Sequence, residues 1–181
     1  MCNEPIDWLC SKAPGFEALT QEERDAIMHF ALLWSFFEAK VLNSNGSAKS
    51  IVEVSKRWET DRRLTTEMFS DCLVYFRRRY FQNNDFTNHF ADLKFRSRDK
   101  QPLVEAVLKG ENENVADTVA ALLIIVYRLR NNLFHGEKWA DELKGQLDNF
   151  THANALLMLA LDLSTPWVRR SQNPGCENSL R

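Results

Sequence analysis

The sequence predicts an all-α protein, an up-and-down bundle of about five main helices. Apolar residues recur at helical spacing along most of the 181-residue chain, and no stretch alternates apolar and polar residues as a half-buried strand does. Capping residues, glycines and prolines fall between the apolar stretches, where helices begin and end. We expect an irregular lead-in over residues 1–19, one helical domain over 20–163 and a flexible tail over 164–181.

Capping patterns predict the first two helices. Thr20 and Glu23 have the spacing of a capping box, which begins a helix that runs to about Leu42. The stretch "NSNGSAKS" breaks this helix, and Ser47 or Ser50 then begins a second one. The positions expected to face inward are Ile27, Phe30, Trp34, Phe37 and Val41 in the first helix, and Ile51, Val54 and Trp58 in the second.

The middle of the chain is predicted to hold a third helix, a loop and a short fourth helix. The third helix covers Thr66 to Tyr80, with Phe69, Leu73 and Phe76 inward. The stretch Phe81–Lys100 is aromatic and basic without a clean period, so we expect a loop with short helical pieces there. Pro102 suits the first turn of a short helix that ends at Gly110.

The most apolar helix is expected after Asn112 or Asn114, either of which can cap it. Apolar residues cover most of its circumference, which is typical of the central helix of a bundle. Its predicted buried face consists of Val115, Val119, Leu122, Val126, Leu129 and Leu133. Gly136 ends or kinks this helix, and a last helix follows from about Glu137 to Leu163, before Pro166.

Composition and charge exclude several classes of protein. The net charge of -2 argues against a protein that coats nucleic acid by bulk electrostatics, although it is compatible with a local basic groove. The longest apolar run, "VAALLIIVY", is about half the ~20 residues that a membrane span requires. The first ten residues lack the basic region of a signal peptide. The four cysteines are scattered, which predicts reduced thiols in a cytoplasmic protein without a metal or other cofactor and without a membrane partner.

The stretch "RLRNNLFHGEKW", which begins at Arg128, closes the most apolar helix with polar groups that suit RNA cleavage. Asn131 and His135 are four residues apart and share a helix face, so the amide can orient the imidazole. Cleavage without a metal requires a group that takes the 2′-hydroxyl proton, a group that protonates the leaving 5′-oxygen and a cation that stabilises the phosphate. Histidine titrates near neutrality, and the guanidinium of Arg130 matches phosphate oxygens.

The string "RNNLFHG" at the end of an apolar helix resembles the R-x(4–6)-H signature of the HEPN superfamily (higher eukaryotes and prokaryotes nucleotide-binding domain). In that family a polar residue, often Asn, follows the arginine, and Asn131 matches it. The resemblance implies that Arg130, Asn131 and His135 are catalytic residues. It also implies a homodimer with a composite cleft, metal-independent endoribonuclease activity on RNA, and a place in a toxin–antitoxin, abortive-infection or other antiviral system, with an antitoxin or other regulatory protein as a possible partner.

Two alternatives stay open beside this assignment. The same residues fit an ordinary helix C-terminus, where Arg and His complement the helix dipole and Gly136 caps the end. The other alternative is a non-catalytic HEPN-like helical module that binds RNA, a nucleotide or a partner protein.

Four further residues are candidates for substrate binding. Arg128 lies near the face of His135 on a helical wheel. Asn132 follows the motif asparagine, with a helix-end or dimer-contact role as the alternative. Glu38 has two interpretations: an i,i+4 or surface role, which the sequence favours, or a place in the cleft where it pairs with Arg130 or tunes His135. Arg77 belongs to the run Arg77–Arg79, which either grips an RNA backbone or ends a solvated helix.

Overall fold

Helix signals in the sequence explain most of the element boundaries in the computed structural model, which describes residues 4–134 and 143–164. The described residues form eight α-helices and one two-stranded hairpin, which confirms the all-α fold class. The elements are α1 (Pro5–Lys12), α2 (Gln21–Lys40), α3 (Ala48–Thr60), α4 (Ser70–Tyr80), β1 (Phe81–Gln82), β2 (Asp85–Phe86), α5 (Asn88–Ala91), α6 (Gln101–Lys109), α7 (Val115–Phe134) and α8 (Leu147–Ser164).

Helix caps form where the sequence places them. Thr20 and Glu23 make a complete capping box at α2, and the side chain of Ser47 accepts the Ser50 N–H at α3. At α7 the side-chain oxygen of Asn114 accepts the Asp117 N–H at 2.9 Å. Gly110 ends α6 with φ at 81°, a conformation that glycine adopts without strain.

Three segments differ from the prediction. The lead-in contains α1 and a 3₁₀ turn, Phe16–Ala18, so it is not irregular throughout. The stretch after α4 forms a hairpin that pairs Phe81 with Phe86. Its turn residues Asn83 and Asn84 have φ of 51° and 62°, and asparagine tolerates this left-handed conformation in two-residue hairpin turns. The sequence reasoning missed this turn because it weighed only periodicity.

The last helix begins at Leu147, later than the predicted start near Glu137. Residues 143–146 form a turn in which Gly145 has φ of 73°, and this conformation ends any helical continuation there. Residues 135–142 and the predicted tail beyond Ser164 lie outside the described residues.

Helix α7 lies at the centre of the core. Every residue from Val119 to Val126 is buried, as expected for a helix that is apolar on all sides. The most extensive helix contacts join α2 to α8 and α3 to α7. Phe30 on α2 packs against Phe150 on α8, and Trp34 on α2 packs against Tyr127 on α7. Packing of the core therefore fixes the position of the last turns of α7. No helix among the described residues is long and apolar enough to cross a membrane.

Candidate functional site at the end of helix α7

The last two turns of α7 send their polar side chains in two directions. Arg130 and Asn131 contact each other beside α2, whereas Arg128 and Asn132 are buried against the segment that follows α5. The structure therefore brings together two of the residues predicted as catalytic, and it separates them from two of the residues predicted to bind substrate. His135, the third predicted catalytic residue, lies outside the described residues.

Four side chains surround Arg130. Its guanidinium lies 3.5 Å from a carboxylate oxygen of Glu38 and donates to the side-chain oxygen of Asn131 at 3.0 Å. Its central carbon lies 5.8 Å from the ring centroid of Trp34 and 5.3 Å from that of Phe134, which is within the range of cation–π attraction. The side chain of Arg130 remains 29% exposed. This arginine is thus held in place while part of it stays accessible to an anion.

Glu38 is itself positioned by its neighbours. The indole nitrogen of Trp34, one helical turn earlier on α2, donates to the same Glu38 oxygen that faces Arg130, at 3.0 Å. The loop after α2 closes over the other oxygen at Gly46, where a Cβ atom would overlap the Glu38 carboxylate. The ion pair that the sequence suggested between Glu38 and Arg130 is therefore present and supported from two sides.

Asn131 is buried, and its amide orientation follows from its partner. A guanidinium only donates, so the Asn131 atom that faces Arg130 is the oxygen. The amide nitrogen of Asn131 is shielded from solvent and has no hydrogen-bond partner among the described residues. The Nε atom of Arg130 is likewise shielded and without a partner among the described residues. Since a buried donor without a partner costs free energy, these two nitrogens are the groups of the cluster that still lack an acceptor.

Arg128 occupies an interior position, which corrects the prediction that it contacts substrate. Only 2% of its side chain is exposed. Its guanidinium donates to the carbonyls of Leu93 and Lys94 at 3.0 Å and 2.7 Å, and lies 2.9 Å from the carboxylate of Asp99. Arg128 therefore attaches the segment between α5 and α6 to the central helix, which is a structural role.

Asn132 has a similar structural placement. It is buried, and its amide nitrogen donates to the carbonyl of Asp92 at 2.9 Å. Its oxygen faces Arg128 at 3.4 Å. Because both ends of the amide contact the protein interior, the predicted role in substrate binding is replaced by a role in holding the same segment.

Arg77 caps a neighbouring helix, a contact that was not predicted, and its grip on RNA stays a prediction. Its guanidinium donates to the carbonyls of Leu108 and Val107 at 2.9 Å and 3.0 Å, at the C-terminal end of α6. The last carbonyls of a helix have no partner within that helix, and Arg77 satisfies two of them. Arg78 and Arg79, the next two residues of the run, have different environments, as described below.

Other reactive groups of the described residues do not form a second centre. Burial raises the pKa of the Cys72 thiol to about 11, which keeps it protonated near neutral pH. No group of three or more His, Cys, Asp and Glu residues within the described ranges has an arrangement that suits a metal ion.

Sequence reasoning missed two contributors to this region. Trp34 was assigned to the core or to a dimer interface, although its spacing from Glu38 on one helix face predicts the contact that the structure shows. No local sequence pattern predicted the contact of Asp99, because its partner Arg128 is 29 residues away in the chain. Comparison of the chain with family models, with curated proteins and with solved structures found no match.

Proposed function

We propose that the protein is a metal-independent endoribonuclease of the HEPN type. The observation that carries this proposal is the placement of Arg130, held by Glu38 and Asn131 between two aromatic rings and still partly exposed. A guanidinium fixed in this manner is preorganised to stabilise negative charge that develops on a phosphate. His135 follows five residues later in the sequence and supplies the titratable group.

The reaction has a simple balance. The 2′-hydroxyl loses its proton and attacks the neighbouring phosphorus, and the bond from phosphorus to the 5′-oxygen breaks. The leaving oxygen gains a proton, so the products carry a 2′,3′-cyclic phosphate and a 5′-hydroxyl. In this scheme His135 acts as the acid–base catalyst, Arg130 stabilises the phosphorane-like transition state, and the unpartnered Asn131 nitrogen donates to the imidazole or to a phosphate oxygen.

A homodimer would supply the second histidine that this chemistry needs, because one imidazole cannot readily serve as base and acid in the same step. An exposed apolar stripe supports the proposal: Met28, Leu32 and Phe36 repeat every four residues along α2 and are 54%, 66% and 52% exposed. Phe134, which is 56% exposed and contacts Arg130, lines the same groove as Met28. A two-fold interface on this stripe, with a second copy as occupant, would place two copies of Arg130 at its edge.

A negative charge introduced into the stripe tests the dimer. We expect Leu32→Glu to convert the dimer to a monomer in sedimentation experiments and to abolish cleavage. Val74→Glu is the matched control, because Val74 on α4 is also 66% exposed and lies outside the stripe. A wild-type monomer that cleaves RNA at a rate proportional to its concentration would contradict the composite site.

Cleavage of a fluorescently labelled RNA tests the catalytic assignment. We expect wild-type protein to cut it in the presence of EDTA and to leave 2′,3′-cyclic phosphate ends, and we expect Arg130→Ala and His135→Ala to be inactive. Arg57→Ala and His29→Ala are controls, since both side chains are exposed and neither belongs to the cluster. Wild-type rates in His135→Ala would disprove the proposal.

The biological role that fits this activity is that of a toxin or antiviral effector in the cytoplasm, restrained by an antitoxin or another regulatory protein. Expression in bacteria provides the test. Growth arrest by the wild-type chain, relieved by Arg130→Ala or His135→Ala, would support this role. Equal growth of the wild type and both variants would argue against it.

A non-catalytic interaction module is the second candidate, and one observation favours it. An apolar groove of about 370 Å³ runs beside the stripe, between α1, α2 and the end of α7. Such a groove suits an apolar segment of a partner protein and does not need Arg130. Partner binding that is unchanged in Arg130→Ala, together with an absence of cleavage by the wild type, would favour this candidate.

A further inference from the structure

A polar cavity of about 340 Å³ lies where α4, the hairpin, α5 and α8 meet. Its lining residues are Tyr75, Arg78, Arg79, Gln82, His89 and Asp148. Two adjacent arginines therefore open onto one cavity, whereas Arg77 is turned away to cap α6. Arg77, which is partly buried, lines a different cavity on the other side of α4, whereas Arg78 and Arg79 share this one.

The cavity has a positive balance of charge. Arg78 is exposed and makes no ion pair within the part of the chain that the structure describes, while its own carbonyl accepts a hydrogen bond from Gln82. Arg79 donates through one terminal nitrogen to the side chain of Gln146 at 2.9 Å, which fixes the guanidinium without neutralising it. Asp148 is the single carboxylate in the lining, so two guanidinium charges face one negative charge.

The remaining charged position of the lining is His89, and it has its own acidic neighbour. A ring nitrogen of His89 lies 3.8 Å from a carboxylate oxygen of Asp92, and both side chains are 54% exposed. This exposed pair is neutral overall when the histidine is protonated and carries one negative charge when it is not, and Asp92 itself is not part of the lining. The excess of positive charge in the cavity thus comes from the two arginines.

Two hydrogen-bond donors at the cavity lack partners. The hydroxyl of Tyr75 and the Nε atom of Arg79 are shielded from solvent and make no hydrogen bond of good geometry with a described residue, although the Arg79 side chain lies close enough to the hydroxyl to lower the pKa of Tyr75. Burial raises the pKa of Tyr75, and the positive charge of Arg79 opposes this shift only in part. Tyr75 is consequently a donor near neutral pH, and phosphate oxygens accept from both phenol and guanidinium groups.

The Tyr75 ring is held in a fixed orientation. His152 on α8 stacks on it with ring centroids 3.8 Å apart and an interplanar angle of 5°. The Nδ1 atom of His152 donates to the carbonyl of Asp148 at 2.7 Å, which fixes the imidazole in turn. A donor that is oriented in advance binds an acceptor at a smaller entropic cost.

The cavity lies beside the candidate catalytic helix. Arg79 and His89 also line a narrow crevice together with Gln146 on one side and Leu129 of α7 on the other. Leu129 immediately precedes Arg130 in the chain. The crevice also contains Asp92 and Leu93, which Asn132 and Arg128 contact, so the cavity and Arg130 lie on different sides of α7. An RNA strand that contacts both must therefore pass around the end of this helix.

We propose that this cavity binds a backbone phosphate of the RNA substrate at a position away from the scissile bond. The inference rests on RNA being the ligand in the proposed function, and it assigns Arg78, Arg79 and Tyr75 to a site that contributes affinity and register without taking part in the chemistry. Phosphate contacts of this kind position a nucleic acid and carry no sequence preference of their own.

Binding of a fluorescent single-stranded RNA to a His135→Ala background, followed by anisotropy, tests the site without cleavage. We expect Arg78→Ala to weaken binding about five- to tenfold and to reduce the slope of log affinity against log salt by about 0.7, the value for one phosphate contact on a single strand. Arg57→Ala removes the same charge from an exposed position on α3, and it is expected to change neither the affinity nor the salt dependence. Inorganic phosphate is expected to compete only weakly, because it lacks the remaining RNA contacts.

Tyr75→Phe separates binding from folding. It removes a hydroxyl that has no described partner, so we expect an unchanged or higher melting temperature together with weaker RNA binding. If Arg78→Ala and Tyr75→Phe bound RNA with wild-type affinity while the wild type still cut RNA, the cavity proposal would fail and the nuclease would stand. If the wild type bound RNA in an Arg78-dependent manner without cutting it, the proposed catalysis would fail and the cavity would be supported. Absence of RNA binding would overturn both.

Discussion

Arg128 and Arg130 lie two residues apart on α7 and enter opposite environments. Arg128 is buried beside Asp99, whereas Arg130 is partly exposed beside Glu38. Side chains two positions apart on an α-helix differ in direction by about 200°, so the two guanidinium groups point away from each other. One arginine therefore holds the fold together and the other remains available for chemistry.

The first prediction concerns the buried ion pair. Asp99→Ala leaves the guanidinium of Arg128 in the interior without its carboxylate, and we expect the free energy of unfolding to fall by about 3–5 kcal/mol. Urea denaturation with linear extrapolation measures this change. Asp61→Ala, at an exposed position after α3, is the control and is expected to have little effect. Equal stability of the two variants would show that the pair contributes nothing.

The second prediction addresses Glu38 as a positioning residue for Arg130. Glu38→Gln keeps an oxygen that accepts from Trp34 but removes the charge that faces the guanidinium. We expect kcat for RNA cleavage to fall about tenfold, because the arginine is less precisely held. KM is not expected to rise, because the variant removes a negative charge that would repel the phosphate of the substrate.

Glu53→Gln is the matched control for this variant, because Glu53 lies on α3 and pairs only with the exposed Lys49 among the described residues. A rise in KM with unchanged kcat would instead assign Glu38 to substrate binding.

The third prediction concerns Gly46. A methyl group at this position would overlap the Glu38 carboxylate, so Gly46→Ala is expected to displace Glu38 and to lower cleavage to about the level of Glu38→Gln. We expect a stability loss of about 1–3 kcal/mol, which is typical of an inserted methyl group in a packed site. Steady-state cleavage and thermal denaturation measure the two effects. Asn45→Ala, an exposed position in the same loop, is expected to match the wild type in both.

The fourth prediction is a pH dependence of stability. Burial raises the pKa of Cys72 from about 9 to about 11, so the folded state retains a proton that the unfolded chain releases at lower pH. The contribution of Cys72 to the free energy of unfolding is complete below about pH 9 and is lost as the pH rises toward about 11. Tyr80 is shifted upward by burial as well and changes stability with the same sign at higher pH.

We therefore expect the free energy of unfolding of Cys72→Ala to fall less steeply over this alkaline range than that of the wild type. Urea denaturation at several pH values measures both slopes. Cys10→Ala is the control, because Cys10 is only partly buried. Identical slopes for Cys72→Ala and the wild type would contradict the assignment.

Elements with strong local signals were predictable from sequence. The capping box at Thr20, the cap at Ser47 and the Gly110 terminus all formed as expected, because each depends on residues within one helical turn. The hairpin after α4 was missed although Asn83 and Asn84 carry the signal of a two-residue turn. The late start of α8 was missed because the conformation of Gly145 depends on its surroundings, including the Gly145 N–H donated to Glu23 at 2.7 Å.

The candidate site was predictable where neighbours share a helix and less so elsewhere. Arg130 and Asn131 follow from the motif, and the Glu38 contact was one of two alternatives. A helical wheel placed Arg128 near His135, but it gives no information on which side of α7 the segment 92–99 covers. The capping contact of Arg77 was missed for the same reason, since the helix end that it caps lies about thirty residues further along the chain. The role of the candidate site in RNA cleavage and the part that His135 takes in it stay predictions.

The complete burial of Val119–Val126 has a consequence for dynamics. Amides in such a segment exchange with solvent only when the whole domain opens, so this stretch should set the upper limit of protection in hydrogen exchange. Arg130 lies one turn beyond this segment, so its backbone is attached to a rigid part of the helix. If the proposed RNA cleavage involves a conformational change, we expect that change in the elements around α7 and not in the helix itself.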